Sequence, residues 1–427
     1  MAADRRGRPA TLACRICGSE RLKTFVDLGA SPPCEAILSE EQAQGGETAY
    51  PLHVRICEQC LLVQLPEVIS AVEIFTDEYA YFSSFSSSWI EHARRYTRDM
   101  VERLRLDASS FVVEVASNDG YLLQHVKAVG IRCLGIEPTA NTAAAARAAG
   151  IDTEVAFLDE MTGKDIADRY GRADLVAANN VYAHVPDLAG FTKGLAALLA
   201  QQGTLTMEFP HLMRLIEQRQ YDTIYHEHFQ YYTLLTAQRA AALGGLTIVD
   251  VEELTTHGGS LRVFCHHEGY AGEPSPAVRD LLVREEVAGL HALAGHEGFE
   301  GAVRAVKRDL LRFLLDAQEK GNRVVGYGAP GKGNTLLNHC GIRADLIEFT
   351  VDRNPHKHGK FLPGSRIPVL APDAIEAAQP DYVLVLPWNL RDEISAQLRY
   401  VADWGGQLVF AIPQLQVVKP GPVGGVR

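Results

Sequence analysis

Cys14-Arg-Ile-Cys17 and Cys57-Glu-Gln-Cys60 form two C-x-x-C pairs about forty residues apart. Pairs of this kind place four thiolates around one tetrahedral Zn²⁺ at about 2.3 Å each. Gly18 follows the first pair and apolar Leu61-Leu62-Val63 the second, so each pair reads as a knuckle. A redox pair would need a strand-helix-strand context, which is absent around these cysteines. Four thiolates leave the ion no open position, so the site is structural and the chemistry must lie elsewhere. The spacing predicts a small zinc-binding domain over residues 12–72, held together largely by its metal because its own core would be too small. Cys34, in Ser31-Pro-Pro-Cys-Glu35, has no partner spacing and reads as a free thiol.

At roughly 100–200 residues per domain, 427 residues allow two to four domains. A hydrophobic fraction of 47% with 22% charged residues excludes global disorder. The 53 acidic residues outnumber the 41 basic ones, which argues against nucleic acid or an anionic membrane as partner. No apolar run is long enough to span a bilayer, and Met1-Ala-Ala-Asp-Arg-Arg is not followed by the apolar stretch of a secretory signal. The expectation is a cytoplasmic protein whose cysteines are thiols or metal ligands.

In the middle of the chain an amphipathic helical pattern over about residues 88–105 precedes Phe111-Val-Val-Glu114-Val, which reads as a buried parallel strand. It runs into Ala116-Ser117-Asn118-Asp119-Gly120 and a helix, the unit that cradles a nucleotide or adenosine cofactor in a doubly wound sheet. A second strand ends at Glu137-Pro138, where an acid can accept hydrogen bonds from ribose hydroxyls. A third ends at Asn179-Asn180, ahead of Val181-Tyr-Ala-His184, and a fourth closes at Pro210-His211. Ala116 and Asn118 stand where the first two glycines of a dinucleotide fingerprint would be, and their side chains hinder approach of a pyrophosphate. S-adenosylmethionine has no phosphate, so these residues favour it over NAD.

Chemistry is most concentrated in Tyr221-Asp-Thr-Ile-Tyr225-His226-Glu227-His228-Phe229, where a histidine can be poised by a neighbouring carboxylate. A His-x-His metal site and a solvated polar loop are the alternatives. Near the C-terminus a strand enters Gly326-Tyr-Gly328-Ala-Pro-Gly331-Lys332-Gly333, a formal G-x-G-x-x-G, with Asp352 ending the next strand. Read alone, that motif means NAD. Lys332 inside the turn suggests instead a direct ion pair with a phosphate, which a nucleotide sugar also carries. A nucleotide fold kept only for packing is the third possibility. The basic stretch Asp352-Arg353 to Lys360 is either part of an anionic pocket or a solvated turn.

Taken together, the C-x-x-C pairs, Tyr79-Ala-Tyr81-Phe-Ser-Ser, Glu114-Val-Ala-Ser-Asn-Asp-Gly120, Tyr225-His-Glu-His-Phe229 and His257-Gly-Gly-Ser-Leu-Arg262 resemble the zinc-containing sugar C-methyltransferases, from Cys14 to the final strands. The resemblance implies an α/β protein in three parts. These are the zinc-binding domain (12–72), a Rossmann-like class I methyltransferase domain binding S-adenosylmethionine (73–255, with 73–105 a helical connector), and a second Rossmann-like domain (256–427). It implies His228 as the catalytic histidine with Glu227 and Tyr225 beside it, a second active-site histidine at His184, and a tyrosine at Tyr79 or Tyr81.

The cofactor would meet Glu114, Ser117, Asn118, Asp119, Gly120, Glu137, Pro138, Asn179 and Asn180. The substrate would meet Lys332, Gly328, His257, Arg262 and Arg353, and Cys14, Cys17, Cys57 and Cys60 would hold the zinc. Related proteins often carry Ala-Asn where Cys34-Glu35 stand here, a strip expected near the substrate. The implied reaction methylates C3 of a nucleotide-linked 4-keto-deoxysugar, dTDP or another nucleotide, through an enolate formed by His228. Methylation of a hydroxyl, an amine or C5, an NAD-dependent sugar-nucleotide oxidoreductase, and a non-catalytic zinc-ribbon module are the competing functions.

Overall fold

The computed structural model describes residues 12–70, 73 and 82–420. The chain forms two compact units, each drawn from separated segments: the first from the described residues of Met1–Lys23, Ile56–Met213 and Phe229–Gly295, the second from those of Thr24–Arg55, Arg214–His228 and His296–Arg427. Strands β1 (Leu22–Ser31) and β2 (Tyr50–Cys57) pair with each other, and β2 leads into β3 (Val63–Gln64). Among the described residues no helix is long and apolar enough to cross a membrane.

The first unit is built on a seven-stranded sheet. Its strands are β4 (Phe111–Val115), β5 (Arg132–Ile136), β6 (Thr153–Glu154), β7 (Ala173–Asn179) and β8 (Leu199–Pro210), then, after the short β9 (Gln230–Tyr231), β10 (Leu246–Leu254) and β11 (Ser260–His267). Their order is β10-β11-β8-β7-β4-β5-β6. β4 to β8 are parallel, and β11 is antiparallel to both β8 and β10. Parallel strands need crossovers and covered faces, which is why β4 is buried at every position. β11 lies beyond the boundary expected near 255, yet it completes this sheet, because the turn at His257-Gly258-Gly259 folds β10 back as a hairpin.

The helix Ser87–Leu104 starts where the Ser86 side chain accepts the Trp89 N–H, and it ends at a left-handed Arg105. Its Ala93, Tyr96 and Met100 sit in the core against Val112, Leu175 and Phe264. Full burial of a side chain the size of Met100 contributes roughly 1.5–3 kcal/mol, so this helix is anchored in the core.

A buried ion network crosses three strands of the sheet. Glu208 on β8 faces Arg262 on β11, which in turn faces Glu252 on β10. The Arg262 guanidinium donates to Glu208 (2.7 Å) and to Glu252 (2.9 Å), and His92 Nε2 lies 2.9 Å from the other Glu208 oxygen. Burial alone would raise the Glu208 pKa, but His92 and Arg262 outweigh it and hold the carboxyl below its usual range.

The second unit has its own seven-stranded sheet. It comprises β12 (Val324–Tyr327), β13 (Thr350–Val351), β14 (Lys360–Phe361), β15 (Pro368–Leu370), β16 (Tyr382–Val385), β17 (Gln407–Phe410) and β18 (Gln416–Val418), in the order β14-β15-β13-β12-β16-β17-β18. The five inner strands are parallel and the two edges antiparallel. This is the Rossmann-like arrangement.

Arg262→Ala strands Glu208 in the sheet. Urea denaturation is expected to show a loss of roughly 3–5 kcal/mol, against less than about 0.5 kcal/mol for the exposed Arg353→Ala.

Candidate active site

In the first unit the carboxyl ends of β4, β5 and β7 share one edge. After β4 the chain turns through three left-handed residues, Ala116 (φ 58°), Asn118 (φ 49°) and Gly120 (φ 79°). The alanine and asparagine therefore adopt the backbone that a glycine fingerprint would supply, at a cost of order 1–2 kcal/mol for such a residue. The loop is held from both sides. Asn118 Oδ1 accepts the Ser83 N–H (2.9 Å) and Asp119 Oδ2 the Ser84 N–H (3.1 Å). The Asn118 N–H donates to Glu137 Oε2 (2.8 Å), and the Thr139 N–H, beyond Pro138, donates to Glu137 Oε1 (3.0 Å). Glu137 keeps lone pairs for further donors.

Glu114 is fully buried, which pushes its carboxyl well above the usual range against the opposing bond from Tyr121. Glu114 Oε2, Ser117 Oγ, Asp119 Oδ1, Asn179 Oδ1 and Asn180 Nδ2 are buried without a hydrogen-bond partner. Buried polar atoms rarely stay unpaired, and this set of carboxyl, amide and hydroxyl groups, with both acceptors and donors among them, suits the ammonium, ribose and carboxylate groups of S-adenosylmethionine. The exposed apolar Val155 and Phe157 follow β6, and no sequence spacing announces them.

The zinc ligands meet as their spacing requires. The four Sγ atoms of Cys14, Cys17, Cys57 and Cys60 lie within 4.8 Å of one another, with Cys14–Cys60 at 3.2 Å and Cys17–Cys57 at 3.6 Å. None is in a disulfide. A tetrahedron of about 2.3 Å bonds has edges of about 3.8 Å, so the group fits Zn²⁺ closed to any further ligand. His184 ends the short helical turn Tyr182–His184 beyond Asn180. Tyr79 and Tyr81 lie outside the described residues.

In the second unit His228 Nδ1 is 2.8 Å from the Thr223 carbonyl, and the Tyr225 ring centroid is 4.0 Å from the imidazole. A carbonyl oxygen can only accept, so Nδ1 carries the hydrogen and Nε2 the lone pair. Burial, opposed by the Thr223 bond and aided by the charge of Lys332, pushes the His228 pKa down to about 4. Burial and then the Glu35 carboxylate push Glu227 up to about 8. His226 donates to the Tyr50 carbonyl (3.1 Å), which gives it a structural job and separates it from His228.

Lys332 is half-buried: it donates to Asn389 Oδ1 (2.8 Å) and lies 5.1 Å over the Trp388 ring. Trp388 Nε1 donates to Asp222 Oδ2 (2.6 Å), and burial raises Asp222 to about 6 although Lys332 opposes the shift. Asp222, Trp388 and Asn389 thus join the histidine's surroundings, and no sequence spacing announces them.

The glycine-rich loop serves packing too. The Gly331 N–H, at the start of the helix Gly331–Cys340, donates to Glu35 Oε1 (2.9 Å), where a pyrophosphate would sit in a dinucleotide site. A Cβ on Gly331 would come within 2.7 Å of that oxygen, and one on Gly328 within 2.7 Å of Pro387. Asp352 accepts from the Ala329 and Asn354 N–H groups.

Of the other residues expected at the substrate, Arg262 is spent on the Glu208–Glu252 ladder. Arg353 is exposed, 4.0 Å from Glu393. His257 lies in the first unit with its ring 5.2 Å from Trp89.

Residues 14–75 match the family model of a zinc binding domain, 89–251 that of a methyltransferase domain and 255–413 that of the C-methyltransferase C-terminal domain. The chain is 36% identical to the C-methyltransferase NovU of Streptomyces niveus over 405 residues, 95% of this chain and 96% of that one. Among solved structures, magnesium protoporphyrin IX methyltransferase of Synechocystis PCC 6803 with bound SAH is 13% identical, covering 41% of this chain and 82% of that one at a TM-score of 0.33. An S-adenosylmethionine-dependent methyltransferase of Mesorhizobium loti is 16% identical, covering 41% and 99% at 0.33.

S-adenosylhomocysteine at 100 times its Kd is expected to stabilise the protein by about 2.7 kcal/mol in a thermal melt, whereas NAD leaves the melt unchanged. A melt that responds to NAD alone would contradict the reading of both sheets.

Proposed function

This chain belongs to the zinc-binding, S-adenosylmethionine-dependent C-methyltransferases, and we propose that it methylates C3 of a nucleotide-linked 4-keto-deoxysugar through an enolate. Its zinc is structural. Carbon, unlike a hydroxyl, has no lone pair to present, so a C-methyltransferase must first make a carbanion. The observation that carries the reading is the His228 Nδ1–Thr223 carbonyl bond. It fixes an imidazole whose Nε2 is a base, and burial keeps that imidazole neutral at physiological pH.

The 4-keto group acidifies the neighbouring C3–H. His228 Nε2 takes that proton, and the C–H electron pair passes into the enolate. Glu227, kept protonated by burial, is suited to donate a hydrogen bond to the enolate oxygen, with the Tyr225 hydroxyl as a further donor, and His184 is assigned a part in the reaction as the second histidine. Bound S-adenosylmethionine supplies a methyl group on a sulfonium. That methyl would pass to C3, with the S–CH₃ electron pair returning to sulfur and S-adenosylhomocysteine leaving, and the proton on His228 leaves to water. The buried polar atoms of Glu114, Ser117, Asp119, Asn179 and Asn180 are assigned to the cofactor, together with Asn118, Gly120, Glu137 and Pro138. The thiolate zinc site suits a reducing cytoplasm.

In D₂O, without S-adenosylmethionine, the protein is expected to exchange the C3 proton of a 4-keto sugar nucleotide, and His228→Ala to lose exchange and methylation together. Full activity in that variant would remove His228 as the base. Mass spectrometry and NMR of products from a panel of sugar nucleotides separate C3 methylation from C5, oxygen or nitrogen methylation. The kcat/KM profile should fall as pH drops through about 4, where His228 protonates, and as pH rises through about 8, where Glu227 ionises. Glu227→Gln, which cannot ionise, should lose the upper limb.

A further inference from the structure

Arg15 lies between the zinc ligands Cys14 and Cys17, yet its side chain turns away from the metal group into the first unit. Its Nη1 donates to the Leu65 carbonyl (2.9 Å), to Gln64 Oε1 (3.3 Å) and to the Phe229 carbonyl (3.4 Å), and its Nε to the Pro186 carbonyl (3.1 Å). The guanidinium carbon is 5.3 Å from the Phe229 ring centroid, and the Arg15 N–H also donates to Gln64 Oε1 (3.2 Å). Two of these contacts reach the backbone around His184, one directly at the Pro186 carbonyl and one through Phe229, which holds Ala183. The Ala183 carbonyl accepts the Phe229 N–H (2.7 Å), the Val185 carbonyl accepts Gln230 Nε2 (2.7 Å), and the Pro186 carbonyl accepts Arg15. Three carbonyls flanking one histidine are therefore each held, and only the Arg15 hold runs through the metal knuckle. β3 and β9 complete the frame by pairing Val63 with Tyr231 and Gln64 with Gln230.

We propose that Arg15 is a positioning residue for methyl transfer, through which the zinc knuckle sets the backbone on either side of His184. A planar fork of donors suits the task, because carbonyls from three separate segments must be reached at once, which a point cation cannot do. The inference rests on His184 taking part in the reaction, as proposed above.

The test uses the full, zinc-loaded chain with Arg15→Met, which keeps the apolar stem, and Arg15→Lys, which keeps the charge. Zinc content, affinity for S-adenosylhomocysteine, the ¹H–¹³C signals of ε1-labelled histidines (His184 assigned with His184→Gln) and kcat and KM are measured. In both variants zinc should stay at wild-type content and S-adenosylhomocysteine affinity should change less than about twofold. The His184 signal should shift or broaden, and kcat should fall by about 10–100-fold with KM little changed. Gln64→Ala, which removes one acceptor of the same guanidinium, should move the signal less. An unmoved His184 signal in a folded, zinc-loaded variant overturns the proposal, and so does loss of zinc in both Arg15 variants, which would place Arg15 in metal binding alone. The imidazole signal needs no sugar, so a wild-type protein that turns over no 4-keto sugar nucleotide sinks the methyl-transfer reading while Arg15 is still tested.

Discussion

Four thiolates around one Zn²⁺ tie two knuckles together across some forty residues of chain. Ligand–metal free energies of about 10–16 kcal/mol in such sites add to the burial of Phe25, Val26, Leu52, Val54 and Ile56 between them. The closed ion also gives a fixed anchor to whatever the knuckles carry. Arg239 Nη1 donates to the Cys60 carbonyl (2.6 Å) from one side, and Arg15 reaches out from the other. The metal does no chemistry, but the backbone near His184 is tied to it.

The two units handle charge in different ways. In the first, Glu208 is ionised because Arg262 and His92 meet it directly across the strands. In the second, burial wins: it drives Glu227 toward its protonated form and His228 toward its neutral one. On the proposed chemistry an acid and a base work side by side at one pH, because surroundings rather than residue type set which holds the proton.

What the sequence disclosed depends on how far apart the partners stand. The zinc site was legible because its geometry is written into a spacing of three residues, and the cofactor edge because polar residues end one strand after another. The left-handed backbone at Ala116 and Asn118 was not legible, since neither residue type announces it. The Arg262–Glu208 pair is not legible, because the partners lie 54 positions apart and meet only when β11 inserts beside β8. Trp388 reached Asp222 across 166 positions, with no pattern to signal it. For Lys332 the motif shows a cation in a turn, but not that the side chain meets Asn389 and Trp388 more than fifty positions away.

The Glu35 carboxylate at the Gly331 amide has a wider meaning. A group tethered to the same chain acts at an effective concentration in the millimolar range or above, and a free dinucleotide must compete with it for the same N–H. A glycine fingerprint is thus an opportunity that the rest of the chain can close. Here a residue almost three hundred positions earlier occupies that N–H, and the signature persists in the sequence whether or not the amide is open to a ligand.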